Sequence, residues 1–291
     1  MCFIFNIYLI YCYYGVILVI NFTKMQGCGN DYIYIYDLEN IEENKLCTLV
    51  QKMSDRHFGI GADGVILISK GSNADFKMRM FNADGTEGAM CGNGIRCVGK
   101  YVKDKGLTNK KKIRIETMSG IKTLELNLSK NKVSSVKVNM GSPKFNLSET
   151  GTKPEILSVP TKQGFVKGYY LTLGNPHLVV VAESIKDINV EKLGKEIGES
   201  TLFKDKANVE FITIDSTSKI SMRVWERGTG ETLACGSGAS AAVAALNSLG
   251  LVGKKVEVKV LGGSLKVSIN RKDVFLEGEA KEVFEGVYYN V

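Results

Sequence analysis

The chain has 291 residues, 44% of them apolar and 24% charged, and 38 Lys and Arg against 31 Asp and Glu leave a net charge of +7. That balance excludes a disordered chain, a collagen-like fibre and a coiled-coil rod. At about 100–200 residues per domain it fits two domains, each large enough to bury a core without disulfides or a structural metal. The charge excess is mild, its densest run is Lys110-Lys111-Lys112, and no nucleic-acid-binding motif accompanies it, so no nucleic-acid partner is expected.

Residues 1–20 are almost wholly apolar, broken only by Asn6 and Gly15, and the first basic residue is Lys24. The run is long enough to span a bilayer. It lacks the positive start and small-residue cleavage site of a signal peptide. It is expected to be an extension outside the fold, with a membrane anchor as the alternative; the folded domains themselves are expected to need no membrane. Alternating or β-branched runs then predict strands over 31–36, 64–68, 76–81, 113–117, 122–128 and 133–140, with helices over 41–54 and 94–105. The second half predicts strands over 165–173, 178–181, 209–214, 219–225, 256–260, 264–269 and 274–277, with helices over 190–200 and 238–249.

Residues 239–246 are small and apolar on nearly every face, and 95–102 are nearly so; a helix apolar all round is buried. Each half is therefore expected to be a curved mixed sheet wrapped around one central helix. The fold class is an α/β mixture of α+β character with two pseudo-symmetric domains, not a doubly wound array.

Cys2, Cys12, Cys28, Cys47, Cys91, Cys97 and Cys235 form no C-x-x-C pair, and His57 and His177 stand apart from any paired cysteines. No metal site and no disulfide framework are expected, and free thiols fit a reducing cytoplasm. Two of the cysteines lie in a repeat. Met78–Gly94, MRMFNADGTEGAMCGNG, returns at a constant offset as Met222–Gly238, MRVWERGTGETLACGSG. Met, Arg, Glu, Cys and two glycines coincide, and Phe81 matches Trp225. Each copy reads strand, polar loop, Cys-Gly-x-Gly, buried helix.

Helix N-termini carry unpaired N–H groups and partial positive charge, which favours anions and lowers a thiol pKa from about 8.5 toward neutrality. If the halves pack about a pseudo-twofold axis, Cys91 and Cys235 face each other across the cleft. One thiolate then removes a proton from a carbon and the other thiol returns one to the opposite face. His177, after Gly174-Asn175-Pro176, is placed to tune a nearby thiol. Cys28, Cys47 and Cys97 read as small buried hydrophobes.

Seven stretches occur in a recognisable order: Met25-Gln26-Gly27-Cys28-Gly29-Asn30-Asp31, Asp55-Arg56-His57-Phe58-Gly59-Ile60-Gly61-Ala62-Asp63-Gly64, Phe81-Asn82-Ala83-Asp84-Gly85, Cys91-Gly92-Asn93-Gly94, Gly174-Asn175-Pro176-His177, Glu226-Arg227-Gly228 and Ala234-Cys235-Gly236-Ser237-Gly238. Together they resemble the diaminopimelate epimerase family, from about residue 21 to the C-terminus. The resemblance implies an isomerase that interconverts L,L- and meso-diaminopimelate in lysine and peptidoglycan-precursor biosynthesis, without pyridoxal phosphate, metal or any other cofactor. It implies Cys91 and Cys235 as the catalytic pair, with Cys91 the base toward the L,L isomer. It places Asn30, Asn82, Gly92, Asn93, Asn175, Asn208, Glu226, Arg227, Gly236 and Ser237 at the substrate, and His177 and Glu226 as modulators of the thiols. It also implies a first domain of residues 21–137 plus 280–291, a second of 138–279, and a cytoplasmic homodimer with an aromatic contact near Phe284. Gln26 stands where the family more often has His. Two other readings stay open: a proline-racemase-like enzyme for a smaller amino acid, and a thiol redox protein. The asparagine set and Arg227 favour a substrate with two amino-acid ends, since Arg grips a carboxylate through paired hydrogen bonds and Asn both donates and accepts.

Overall fold

The structure, a computed structural model, describes residues 7–12, 15–38 and 41–290. Among these, residues up to Val136 together with those from Ala280 form one compact unit, and Lys137–Glu279 form the other. The first contains β1 (Ile7–Cys12), β2 (Gly15–Gly27), β3 (Asn30–Tyr36), α1 (Glu43–Ser54), β4 (Gly64–Lys70), β5 (Phe76–Asn82), β6 (Glu87–Gly88), α2 (Gly92–Asp104), β7 (Lys112–Thr117), β8 (Gly120–Ser129) and the first half of β9 (Lys132–Gly141). The second contains β10 (Lys144–Phe145), β11 (Glu155–Thr161), β12 (Gly164–Thr172), β13 (Pro176–Val181), α3 (Val190–Gly198), β14 (Asn208–Ser216), β15 (Lys219–Glu226), β16 (Gly230–Thr232), α4 (Gly236–Ser248), β17 (Lys255–Val260), β18 (Gly263–Asn270) and β19 (Asp273–Gly278). The last strand, β20 (Lys281–Asn290), belongs to the first unit and pairs antiparallel with β2 from Leu18 to Gln26.

The two units repeat one topology. In the first, β3 is parallel to β4, β4 antiparallel to β5, β5 parallel to β7 and β7 antiparallel to β8. In the second, β13, β14, β15, β17 and β18 follow the same succession. The place that β20 takes beside β2 is taken by β11 beside β12.

Alternation along the central strands explains how each sheet carries a helix on both faces. Side chains two apart share a face. Ile33 and Ile35 of β3, with Val65 and Leu67 of β4, join Leu46, Leu49, Val50 and Met53 of α1 in one cluster. Their neighbours turn the other way: the Tyr34 hydroxyl donates to the Gly94 carbonyl of α2 at 3.2 Å, and Ile66 lies under Gly94. In the second unit α3 packs on Trp225 with Val209 and Phe211. Gly194 and Gly198, one helical turn apart, admit Trp225, because a Cβ on either would come within 2.3 Å of its side chain. The α4 helix is buried almost throughout, and its small side chains let it lie close to the opposite face of the sheet.

The fold begins earlier than residue 21. Gly15 opens β2, and β1 pairs with its first half from Ile7↔Ile20 to Cys12↔Gly15. Ile20 is fully buried and shares a strand face with Phe22 beneath α1, so the end of the apolar run is core. Residues 1–6, 13 and 14 of the expected extension lie outside the described residues. Among the described residues, no helix is long and apolar enough to cross a membrane.

Candidate active site

Both cysteine helices start two residues before the predicted 94 and 238, and this makes the cysteines N-caps. Cys91 and Cys235 have extended backbones, φ −118° and −111°, and each sulfur accepts the N–H two residues into its own helix, from Gly94 and Gly238, at 3.3 Å. A sulfur thus fills the role usually taken by a Ser or Asp oxygen. In each helix a side chain at that glycine would have to displace a neighbour. An added Cβ would lie 2.7 Å from the Ile66 Cδ1 at Gly94, and 2.6 Å from the Glu210 Oε1 at Gly238.

In the first unit the Cys91 thiol donates to the Asn30 Oδ1 at 3.1 Å, and the Asn30 amide donates to the Asp63 Oδ2 at 2.7 Å. Asn30 reaches the cysteine because β2 and β3 are joined through Cys28 and Gly29, both in the left-handed region, at φ 55° and 85°, as a two-residue turn of primed type requires. Asp63 also accepts from the Asp31 N–H, and Arg56 bridges Asp63 and Asp31, whose other partner is Lys24 at 2.8 Å. Burial, then the charge of Asp31, raises the Asp63 carboxyl. At Asp31 burial pushes up too, but the hydrogen bonds from Arg56 and Lys24 overturn it and hold that carboxyl low. Asn93 is buried in the first turn of α2, and the Gly92 carbonyl accepts from Arg96 at 3.1 Å. Asn82, exposed at the end of β5, turns its amide to the Thr86 hydroxyl at 3.0 Å.

In the second unit the Cys235 sulfur lies 3.4 Å from the Ser237 hydroxyl, and Glu226 accepts from the Thr232 hydroxyl. His177 is fully buried. Its Nδ1 lies 2.7 Å from the Glu210 Oε1, and its Nε2 lies 3.0 Å from the Asn175 Oδ1. The Asn208 Oδ1 accepts the Arg227 N–H at 2.8 Å, and the exposed Arg227 guanidinium donates to the Asp205 carbonyl at 2.7 Å. Cys235 does not follow the expectation of a thiol lowered by its helix. Burial, then the carboxylates of Glu226 and Glu210, push it well above the ordinary range, against the help of Ser237 and the Gly238 N–H. Burial also raises Glu226 itself.

Each unit thus gathers a capping cysteine and its predicted neighbours: Asn30, Gly92 and Asn93 around Cys91, and Glu226, Gly236 and Ser237 around Cys235. Asn175 is joined to His177, and Asn208 to Arg227. Asp63, Arg56, Asp31, Thr232 and Glu210 were not anticipated. Glu210 had one available clue, a lone acid inside the apolar run Val209 to Ile212. Among the described residues no cluster of His, Cys, Asp and Glu has the makings of a metal site.

The model of the diaminopimelate epimerase family matches residues 22–146 and 169–283. The chain belongs to the diaminopimelate epimerase family. It is 45% identical over 274 residues to the diaminopimelate epimerase of Acetivibrio thermocellus, covering 91% of this chain and 97% of that one. It is 46% identical over 272 residues to that of Methanococcus maripaludis strain C5, covering 91% and 98%. Among solved structures, a phenazine biosynthesis protein of the PhzF family from Bacillus anthracis shares the fold at a TM-score of 0.70 with 16% identity, covering 93% of this chain and 99% of that one. A hydroxyproline epimerase from Agrobacterium vitis, solved with bound trans-4-hydroxy-L-proline, does so at 0.69 with 15% identity, covering 93% and 91%. The two cysteine motifs that carried the family resemblance are the two helix caps.

Proposed function

We propose that this diaminopimelate epimerase homologue interconverts L,L- and meso-diaminopimelate by proton transfer between the substrate α-carbon and two cysteines, Cys91 and Cys235. The observation that carries the reading is the pair of capping sulfurs, each hydrogen-bonded to a first-turn amide of its own helix. Inversion at carbon needs a base on one face and an acid on the other. Cys235, raised by burial and carboxylates, suits the acid in the free enzyme. Cys91, whose sulfur accepts the Gly94 N–H at its helix start, takes the proton of the L,L isomer. In the reverse direction the roles exchange.

Helix N-termini bind carboxylates, so the backbone of Gly92-Asn93 and Gly236-Ser237 receives the carboxylate at the reacting end and stabilises charge as the α-proton leaves. Asn30, Asn82, Asn175, Asn208, Glu226 and Arg227 read the two zwitterionic ends. His177 and Glu226 set the proton affinity around Cys235. The enzyme works without a cofactor, as a homodimer in the cytoplasm. Phe284, half exposed and edge-on to Phe22, lies in the dimer contact.

The test is incubation with each diaminopimelate isomer in deuterated buffer. Deuterium entering the α-position together with isomer interconversion supports the reading. Exchange with proline, or no exchange with either diaminopimelate isomer, overturns it.

A further inference from the structure

The duplication supplies an internal control for every residue of the second site. The register of β3 on β4 and of β13 on β14, with the common position of Gly94 and Gly238, sets Ile66 against Glu210 and Tyr32 against His177. The first unit folds with an isoleucine and a tyrosine there. The fold therefore has no need of a buried acid and imidazole at this place. The second unit nevertheless buries both completely, and leaves the Glu210 Oε2 without a hydrogen-bond partner among the described residues. A buried polar oxygen left unsatisfied is costly, and where it persists it calls for a functional reason.

The geometry points to Glu210 as the positioning residue for His177, holding the proton on its Nδ1, aiming its Nε2 at Asn175 and tying the ring to the turn of α4 that carries Cys235. The inference rests on the two-cysteine reading above. The carboxylate can do this from where it lies. Its Oε1, which as a carboxylate oxygen can only accept, lies 2.7 Å from the Nδ1, and the same oxygen sits against Gly238, the residue whose N–H the Cys235 sulfur caps. An imidazole held at one nitrogen has its tautomer and ring plane fixed. The other titratable groups that interact with the pair are Glu226 of β15 and Cys235 at the cap of α4. On β12, the residue opposite His177 is the uncharged Leu171. The first unit has no such device; in the second it stands against the turn that Cys235 caps, so the transfer it is expected to serve is that of Cys235.

The chain has 2 histidines, so ring-nitrogen NMR can be read residue by residue, with His57→Gln supplying the assignment. In the unsubstituted protein the Nδ1 of His177 is expected to carry its proton; an unprotonated Nδ1 overturns the proposal without any variant. In Glu210→Gln the ring signals are expected to shift to a mixture of tautomers. α-Deuterium exchange from the meso isomer is expected to fall about 10–100-fold in kcat, with KM and exchange from the L,L isomer within a few-fold of the parent. Unchanged ring signals, or equal losses from both isomers, contradict a positioning role. The ring signals are read without substrate. An enzyme that exchanges neither isomer would therefore refute the epimerase reading while the nitrogen measurement still decides on Glu210.

Discussion

Under Gly94 of α2 lies the methyl end of Ile66; under Gly238 of α4 lies the carboxyl of Glu210. The two places are equivalent in a duplicated topology, and both helices begin with a cysteine whose sulfur caps the same amide at the same 3.3 Å. Backbone and cap are thus held in common, and the difference lies in what surrounds the sulfur. Cys91 is bonded to an amide, Asn30, which leans on the Asp63–Arg56–Asp31 network. Cys235 is buried among carboxyl groups and a histidine. One scaffold therefore surrounds its two capping sulfurs with unlike groups, and those around Cys235 push its thiol up.

Equivalent substitutions in the two units test how far the comparison extends. The largest difference is expected at the paired arginines. Arg223 binds Glu231 through two nitrogens and donates to the carbonyls of Ile185 and Ile188 at 2.8 Å, whereas Arg79 binds Glu87 and the exposed Glu43. Arg223→Ala leaves a carboxylate and several carbonyls unpaired and is expected to cost about 3 kcal/mol in chemical denaturation. Arg79→Ala is expected to cost about 1 kcal/mol, as for a partly exposed pair. Equal losses would show that the two units bear load alike.

The glycines come next. Gly238→Ala is expected to destabilise by about 2 kcal/mol and to displace Glu210 from His177, while at Gly94 the flexible end of Ile66 yields and the cost stays nearer 1 kcal/mol. Thermal melts of both variants beside the parent check the order. The smallest effect is one of direction. Glu226 repels a thiolate at Cys235, so Glu226→Gln is expected to lower the pH at which Cys235 ionises. Alkylation followed by peptide mass spectrometry near pH 9 should then be a few-fold faster than in the parent. A slower reaction would show that Glu226 acts mainly as an acceptor for the thiol.

Much of the site was legible in the residues because the repeat is ungapped where the cysteines lie, and Cys-Gly-x-Gly before a buried helix is a cap whichever residue opens it. The helix starts were misplaced by two because glycines are poor helix formers, and the prediction began where the glycines ended. Ile20 was assigned to the extension because an apolar run shows no internal boundary; only its pairing with β20 and its burial under α1 separate core from flank. The β11 strand went unread because Pro160 argues against a strand, yet it stands in the ladder opposite Phe165. Glu210 was hidden because a fully buried strand reads as a continuous apolar run, and one acid within it looks like noise until the equivalent Ile66 is set beside it.

The two-cysteine chemistry is tested most directly by α-deuterium exchange from each isomer in Cys91→Ser and Cys235→Ser. A hydroxyl is a far weaker base than a thiolate but remains a possible proton donor, so each variant should lose first the exchange for which its cysteine is the base. A loss of about 100-fold or more is expected from L,L-diaminopimelate in Cys91→Ser and from the meso isomer in Cys235→Ser, with epimerisation abolished in both. Epimerisation near the parent rate in either variant would contradict it.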